Sequence, residues 1–219
     1  NDGEIVRFMK DTTTVGSVGS NSGILYIGSP EGTDAFLGFG NDIIRPVTSA
    51  GASRDNAIDL GYTNMRFKDI YLSGGVRVGG TGAVNLLDDY EEGTWTGTVT
   101  TLGTAPSSTQ QGNGFYTKIG RQVTVRFVDN TINMSGSSGE LVITGLPFTS
   151  RNTSGNAGVG SCVLFQMNIG GSVKNISAVV NENTSIVYLY ESIDEANYAL
   201  ITDNSTTNGR IWFTVTYDI

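Results

Sequence analysis

The side chains of this chain that can do acid–base chemistry near neutral pH are its carboxylates, because it contains no histidine. That absence removes the commonest general base and the commonest metal ligand, so Ser-His-Asp catalysis, Cys-His catalysis and imidazole-bound zinc are excluded. Two acidic groups remain. Asp88, Asp89, Glu91 and Glu92 lie in the run Leu86-Leu87-Asp88-Asp89-Tyr90-Glu91-Glu92-Gly93-Thr94-Trp95, and Glu191, Asp194 and Glu195 follow a later apolar stretch. Two carboxylates about 5–10 Å apart suffice for glycoside hydrolysis. Like charges this close otherwise need solvent or a cation such as Ca²⁺. A water-exposed turn accounts for both groups, so the sequence assigns no catalytic residue, no metal ligand and no cofactor.

Binding chemistry is better supplied. A ring stacks on the apolar face of a sugar while short polar groups meet its hydroxyls. Tyr188, Tyr190, Tyr198 and Trp212, with Asn152, Asn156, Asn204 and Asn208, form the candidate binding set, and Phe148 is a further available ring. Core, interface or cross-strand packing is the competing role for these rings. Trp212 falls opposite the Ile211/Phe213 face, so it either packs against another subunit or meets a ligand. Trp95 reads as an anchor at the base of the second half. The loops 152–156 and 203–209 are chosen because loops vary without threatening a core.

A net charge of −8, with 13 scattered Lys and Arg, opposes a nucleic-acid footprint and leaves a neutral partner such as a glycan compatible. The single cysteine, Cys162, excludes an intrachain disulfide and sits in a strand-like run, as a buried inert thiol would. No apolar stretch reaches the roughly 18 residues a spanning helix needs. The chain opens on Asn1, which reads as a fragment of a longer protein.

Thirty glycines, abundant Thr, Ser and Asn, and no sustained 3.6-residue apolar period predict an all-β fold. Residues 1–90 hold short segments fenced by Gly, Asp, Asn or Ser, such as Glu4-Ile5-Val6-Arg7-Phe8, Gly23–Gly28 and Ala35–Phe39. Segments this short cannot bury a core of their own, so they are expected to pack around identical copies as a slender, intertwined trimeric β shaft, β-prism or triple-β-helix-like. Arg54, Asp55, Arg66 and Asp69 are either interchain ion pairs or ordinary solvated charge. Residues 91–219 alternate more clearly. Val123, Val125 and Phe127 share a face; so do Ile211, Phe213, Val215 and Tyr217, and Val163, Phe165, Met167 and Ile169 suggest a third set. About nine strands here predict a jelly-roll-like β-sandwich head. Ile186–Tyr190 is apolar on both faces, which asks for cover from a neighbouring subunit.

The runs Arg66-Phe67-Lys68-Asp69-Ile70-Tyr71-Leu72-Ser73-Gly74-Gly75-Val76 and Leu87-Asp88-Asp89-Tyr90-Glu91-Glu92-Gly93-Thr94-Trp95-Thr96 resemble tail-fibre and related virion proteins of tailed bacteriophages. Asp2–Phe8 with Thr14–Val18, Gly114–Gly120 and Ile143–Phe148 carry the same likeness, which covers most of 1–150. The resemblance implies a homotrimeric distal fibre of the virion that contacts the bacterial surface. Its partners would be two identical chains, a bacterial surface glycan or other outer-surface receptor, and other virion tail proteins on the N-terminal side. It carries over no catalytic residue. A non-receptor fibre collar or connector is the rival role, and a paired-carboxylate glycan hydrolase is the third. Two departures stand out. Fibres of this kind often end in a self-cleaving chaperone domain with Ser and Lys, which is not visible before Ile219. The pattern's Gly-Thr-Trp-Thr-Pro reads Gly97 in place of Pro, which leaves φ unfixed there.

Overall fold

A computed structural model describes residues 2–30, 32, 34–169, 175–192, 198–203 and 206–219. Every regular element among them is a β-strand except one turn of 3-10 helix, Ala83–Asn85, so the fold is all-β. The chain divides into two compact units, Asn1–Tyr71 and Leu72–Ile219.

In the first unit β1 (Gly3–Lys10), β2 (Thr13–Asn21), β3 (Ile24–Ser29), β4 (Ala35–Gly40) and β5 (Ile43–Val47) form an antiparallel meander in chain order. Two of its hairpins turn on residue pairs with positive φ, Ser22-Gly23 and Asn41-Asp42. That is the two-residue geometry matched to strand twist, and Asn, Asp and Gly tolerate it best. Among the described residues here the buried apolar side chains are Tyr26, Phe36 and Val47, with Tyr26 and Phe36 edge to face at 6.0 Å. Residues 48–54 fold beneath them: Asn21 Nδ2 donates to the Ala50 carbonyl, and Arg54 Nη1 donates to the Asp34 carbonyl rather than to a carboxylate.

The opposite face of this sheet is apolar and open. Register places Val6, Val18, Ile27, Leu37 and Pro46 in one row across all five strands, and Ser20, Leu25, Phe39 and Ile44 in the next. Neither row contains a charged residue, and Val6, Leu25, Ile27, Leu37, Phe39 and Ile44 are all exposed. Beyond the sheet, Leu60, Tyr62, Met65, Phe67, Ile70 and Tyr71 are exposed as well. Among the described residues, the one ion pair at the charges singled out in this segment is Lys68–Asp69 at 3.8 Å, between exposed side chains.

The second unit opens with a small hairpin of β6 (Val76–Arg77) and β7 (Leu86–Leu87). Nine strands follow: β8 (Tyr90–Thr101), β9 (Gln110–Ile119), β10 (Gln122–Ile132), β11 (Leu141–Thr144), β12 (Gly158–Phe165), β13 (Asn175–Val180), β14 (Ile186–Ser192), β15 (Ala199–Leu200) and β16 (Gly209–Asp218). The hydrogen-bonded order is β11-β8-β9-β10-β16-β12-β13-β14, and β14 pairs back to β11. The sheet is therefore a closed eight-stranded barrel, with β15 added to the free end of β14. Its order contains two Greek keys in tandem, β11-β8-β9-β10 and β16-β12-β13-β14, each with the fourth strand laid beside the first. The sequence pointed to two sheets packed as a sandwich. The four-residue β11 changes that, because it bonds to β8 on one side and β14 on the other and leaves no open seam.

The interior follows the alternation read from sequence in β10 and β16. Val123, Val125, Phe127, Ile211, Phe213, Val215 and Tyr217 point inward and are buried. In β12 the alternation runs the other way. Val163 and Phe165 are exposed, whereas Cys162 and Leu164 pack against the core. Gln166 has a φ of 54°, which breaks the strand, and Met167 and Ile169 then reach the core from beyond it. Trp95 is an interior anchor: its ring lies 5.5 Å from Phe127, and Phe127 stacks on Phe213 at 5.2 Å. Bare backbone makes room for these rings. A Cβ at Gly114 would lie 2.1 Å from Trp95 Nε1, and one at Gly97 would lie 2.5 Å from Phe127 Cε2. Gly97 thus faces the aromatic cluster and has no space for a ring.

Candidate functional site

The strongest recognition geometry lies on the outer wall of the second Greek key. β14 alternates cleanly: Val187 and Leu189 enter the core, and Tyr188 and Tyr190 face out. β13 brings Ser177 opposite Tyr190 and Val179 opposite Tyr188. β15 pairs Ala199 with Glu191 and so sets Tyr198 beside Tyr190. The two rings meet edge to face at 5.4 Å, and Tyr198 is 73% exposed. Together with Val159, Val179, Ser177, Asn181, Glu191 and Ser192 they line a groove of about 300 Å³. Its chemistry is an aromatic wall, an aliphatic floor and several short polar groups, the combination that grips a sugar ring by its apolar face and its hydroxyls.

The other candidates do not converge on this groove. Tyr188 shares the outer face of β14 but stands between Val179 and Val142, outside the groove lining. Trp212 projects from the outer face of β16 between Val128 and Val163, and its Nε1 donates to Asn130 Oδ1 at 2.8 Å. Asn152 and Asn156 precede the first residue of β12, whereas Asn208 precedes the first residue of β16, which runs antiparallel to β12. The two loops therefore sit at opposite ends of the barrel, about 25 Å apart along an eight-residue strand. Asn156 is partly buried, its Nδ2 unpartnered, and Asn208 is exposed. Asn204 lies outside the described residues. The nearby Asp203 is buried and holds its own loop, accepting from the Thr206 N–H and hydroxyl.

The junction carboxylates are held in local contacts. Asp89 pairs with Lys118, a buried lysine that also lies over the Phe148 ring. Glu91 accepts from the Tyr116 hydroxyl and Glu92 from the Tyr90 hydroxyl, and these hydrogen bonds raise both phenol pKa values. Of the later acidic group, Glu191 lines the groove, and Asp194 and Glu195 lie outside the described residues. Cys162 packs against the core, and desolvation pushes its thiol pKa up to about 12.

Sequence reasoning found the two groove tyrosines and missed Val159, Ser177, Val179, Asn181 and Ser192. Their signal was present as the outward positions of β12 and β13, but it depended on knowing which strand lies beside which. No known protein family, no curated protein and no solved structure matches the chain.

Proposed function

We propose that the chain is the distal region of a bacteriophage tail fibre, a homotrimer that binds the bacterial host surface through a glycan and does no catalysis. The observation that carries the binding half of this reading is the Tyr190–Tyr198 groove, whose rings and short polar groups suit a saccharide. The fibre identity rests on the resemblance of residues 1–150 to virion proteins of tailed phages. The oligomeric half is supported by the first unit. Three buried apolar side chains contribute roughly 5–9 kcal/mol, against about 1–2 kcal/mol of backbone entropy for every residue ordered. Its uncharged outer face is about 19 Å wide over five strands. Two further copies around a threefold axis cover that face in all three chains and yield a slender, intertwined β-prism-like shaft. The two Greek keys then form the jelly-roll-like head that meets the host.

The test is retention of the purified protein on host cells before and after their surface polysaccharide is stripped. Retention that is lost on stripping is expected. Equal retention on both cell preparations rejects a glycan receptor. No retention on either favours the rival role of a collar or connector, which the apolar face of the first unit serves equally well.

A further inference from the structure

We infer that the head carries a second saccharide subsite, in the cleft over β8, β9 and β10. This deepens the glycan reading above and rests on it. The cleft measures about 660 Å³, within the size range of small-ligand sites. Register lines up its outward side chains: Asn113 stands between Thr96 and Val128, and Phe115, 56% exposed, lies two residues further along β9. That spacing of about 7 Å lets one pyranose lie on the Phe115 ring with its hydroxyls at Asn113. Gln111 and Asn130 continue the polar side.

The amides are poised to bind. The Gln111 and Asn113 side chains make no hydrogen bond with any described residue. Asn130 accepts from Trp212 Nε1, and because indole only donates, the bond fixes the amide with Nδ2 free to donate. Asp129 borders the same cleft and is 5% exposed. Its Oδ1 accepts the Thr131 N–H at 3.0 Å, and its Oδ2 is buried without a donor. Asp129 stands opposite inward Ile211, so this oxygen faces the barrel interior and is not a ligand contact. The ligand class is a neutral sugar, since Asp129 is the one ionisable side chain in the lining.

The topology gives the two sites a relation. The cleft sits on the first three strands of the first Greek key, and the Tyr190–Tyr198 groove lies on the first three strands of the second with β15. β9 and β13 are separated by three strands in either direction round the eight-stranded ring, so they form opposite walls. One short oligosaccharide cannot reach both sites. Each chain instead engages two separate glycan strands, which multiplies avidity on a dense surface without a new contact.

The experiment is calorimetric titration of the whole protein with the methyl glycosides of glucose, galactose, mannose, rhamnose and N-acetylglucosamine and with purified host polysaccharide fragments. Tryptophan emission is followed in parallel, because Trp212 touches the cleft through Asn130 and not the groove. Two sites per chain are expected. Asn113→Ala with Phe115→Ala should weaken one site by about tenfold or more and abolish the emission change. Gln111→Ala, at an exposed position, repeats the test should the double variant fold poorly. Tyr190→Ala with Tyr198→Ala should remove the other site and keep the emission change. A single site, lost with the tyrosine pair and indifferent to Asn113, Phe115 and Gln111, overturns the inference and leaves the glycan reading standing. No binding of any saccharide by the unaltered protein overturns both.

Discussion

Single residues decide how tightly the head is built. The Trp95 ring occupies the space where Gly114 has no side chain, and Phe127 does the same over Gly97. Gly114→Ala should therefore overpack the aromatic cluster and destabilise the barrel by about 1–3 kcal/mol, read as a lower urea midpoint; an unchanged midpoint would show that the ring moves aside freely. Two desolvated acids, Cys162 packed against the core and Tyr217 buried in it, give the same barrel a pH dependence. Burial raises Cys162 from 9.0 to about 12 and Tyr217 from 10.0 to about 12, the latter despite its hydrogen bond to the Phe148 carbonyl. Both pKa values are higher in the folded state, so the unfolded chain releases these protons first. Stability from both groups is present in full below about pH 9 and is lost as pH climbs from there toward about 12. Urea midpoints across that window should fall, and Cys162→Ala should flatten the earlier part of the fall. The native thiol should also resist disulfide reagents at mildly alkaline pH until the protein is unfolded. At this scale the sequence was informative: an isolated Cys in an apolar run and a Trp at the start of an alternating strand were both read correctly as interior groups. The reason for the glycines was not legible, because it lies in rings brought close by register.

Elements show where alternation stops being readable. In β10 and β16 one face is apolar and the other carries Thr, Arg or Asp, so period two selects the interior. In β12 both Cys162/Leu164 and Val163/Phe165 are apolar, and periodicity alone cannot choose between them. The choice falls to β16, which sets Cys162 beside inward Phe213 and Val163 beside outward Trp212. β2 was invisible for the opposite reason. Thr13–Asn21 is mostly Thr, Ser and Gly, and it becomes a strand because β1 and β3 pair with it on either side. The candidate site followed the same division. Tyr190 and Tyr198 were recognisable as residue types, whereas the groove needs β13 and β15 laid against β14. For the first unit the element-scale prediction concerns its open face. Ile27→Lys with Leu37→Glu places charge in the middle row, where each is paired with the other across β3 and β4 and leaves the buried Tyr26, Phe36 and Val47 untouched. Sedimentation should show the proposed trimer replaced by smaller species, while the barrel keeps its far-ultraviolet spectrum. A double variant that sediments like the unaltered protein would mean this face is not the one that associates.

The whole molecule combines two units with different sources of stability, and that difference is measurable. The barrel has its own core, which runs from Trp95 and Val99 to Val215 and Tyr217, and β11 links the two Greek keys into one ring. Neither key can open without breaking ladders of the other, so the second unit should unfold in one cooperative step whose temperature is independent of protein concentration. Ile143 on β11 is fully buried; Ile143→Ala should cost about 2–5 kcal/mol and lower that single step rather than split it. The first unit has three buried apolar groups among its described residues and an open apolar face, so on the trimeric reading proposed above its stability is bound to assembly. A subunit that is folded only in the oligomer gains stability by mass action, and its transition rises with concentration. Calorimetric scans over a hundredfold range of protein concentration should therefore resolve two transitions, one that moves upward with concentration and one that stays fixed. Two fixed transitions would mean that the sheet of β1–β5 stands alone, and the argument that it draws in identical chains would fail with it.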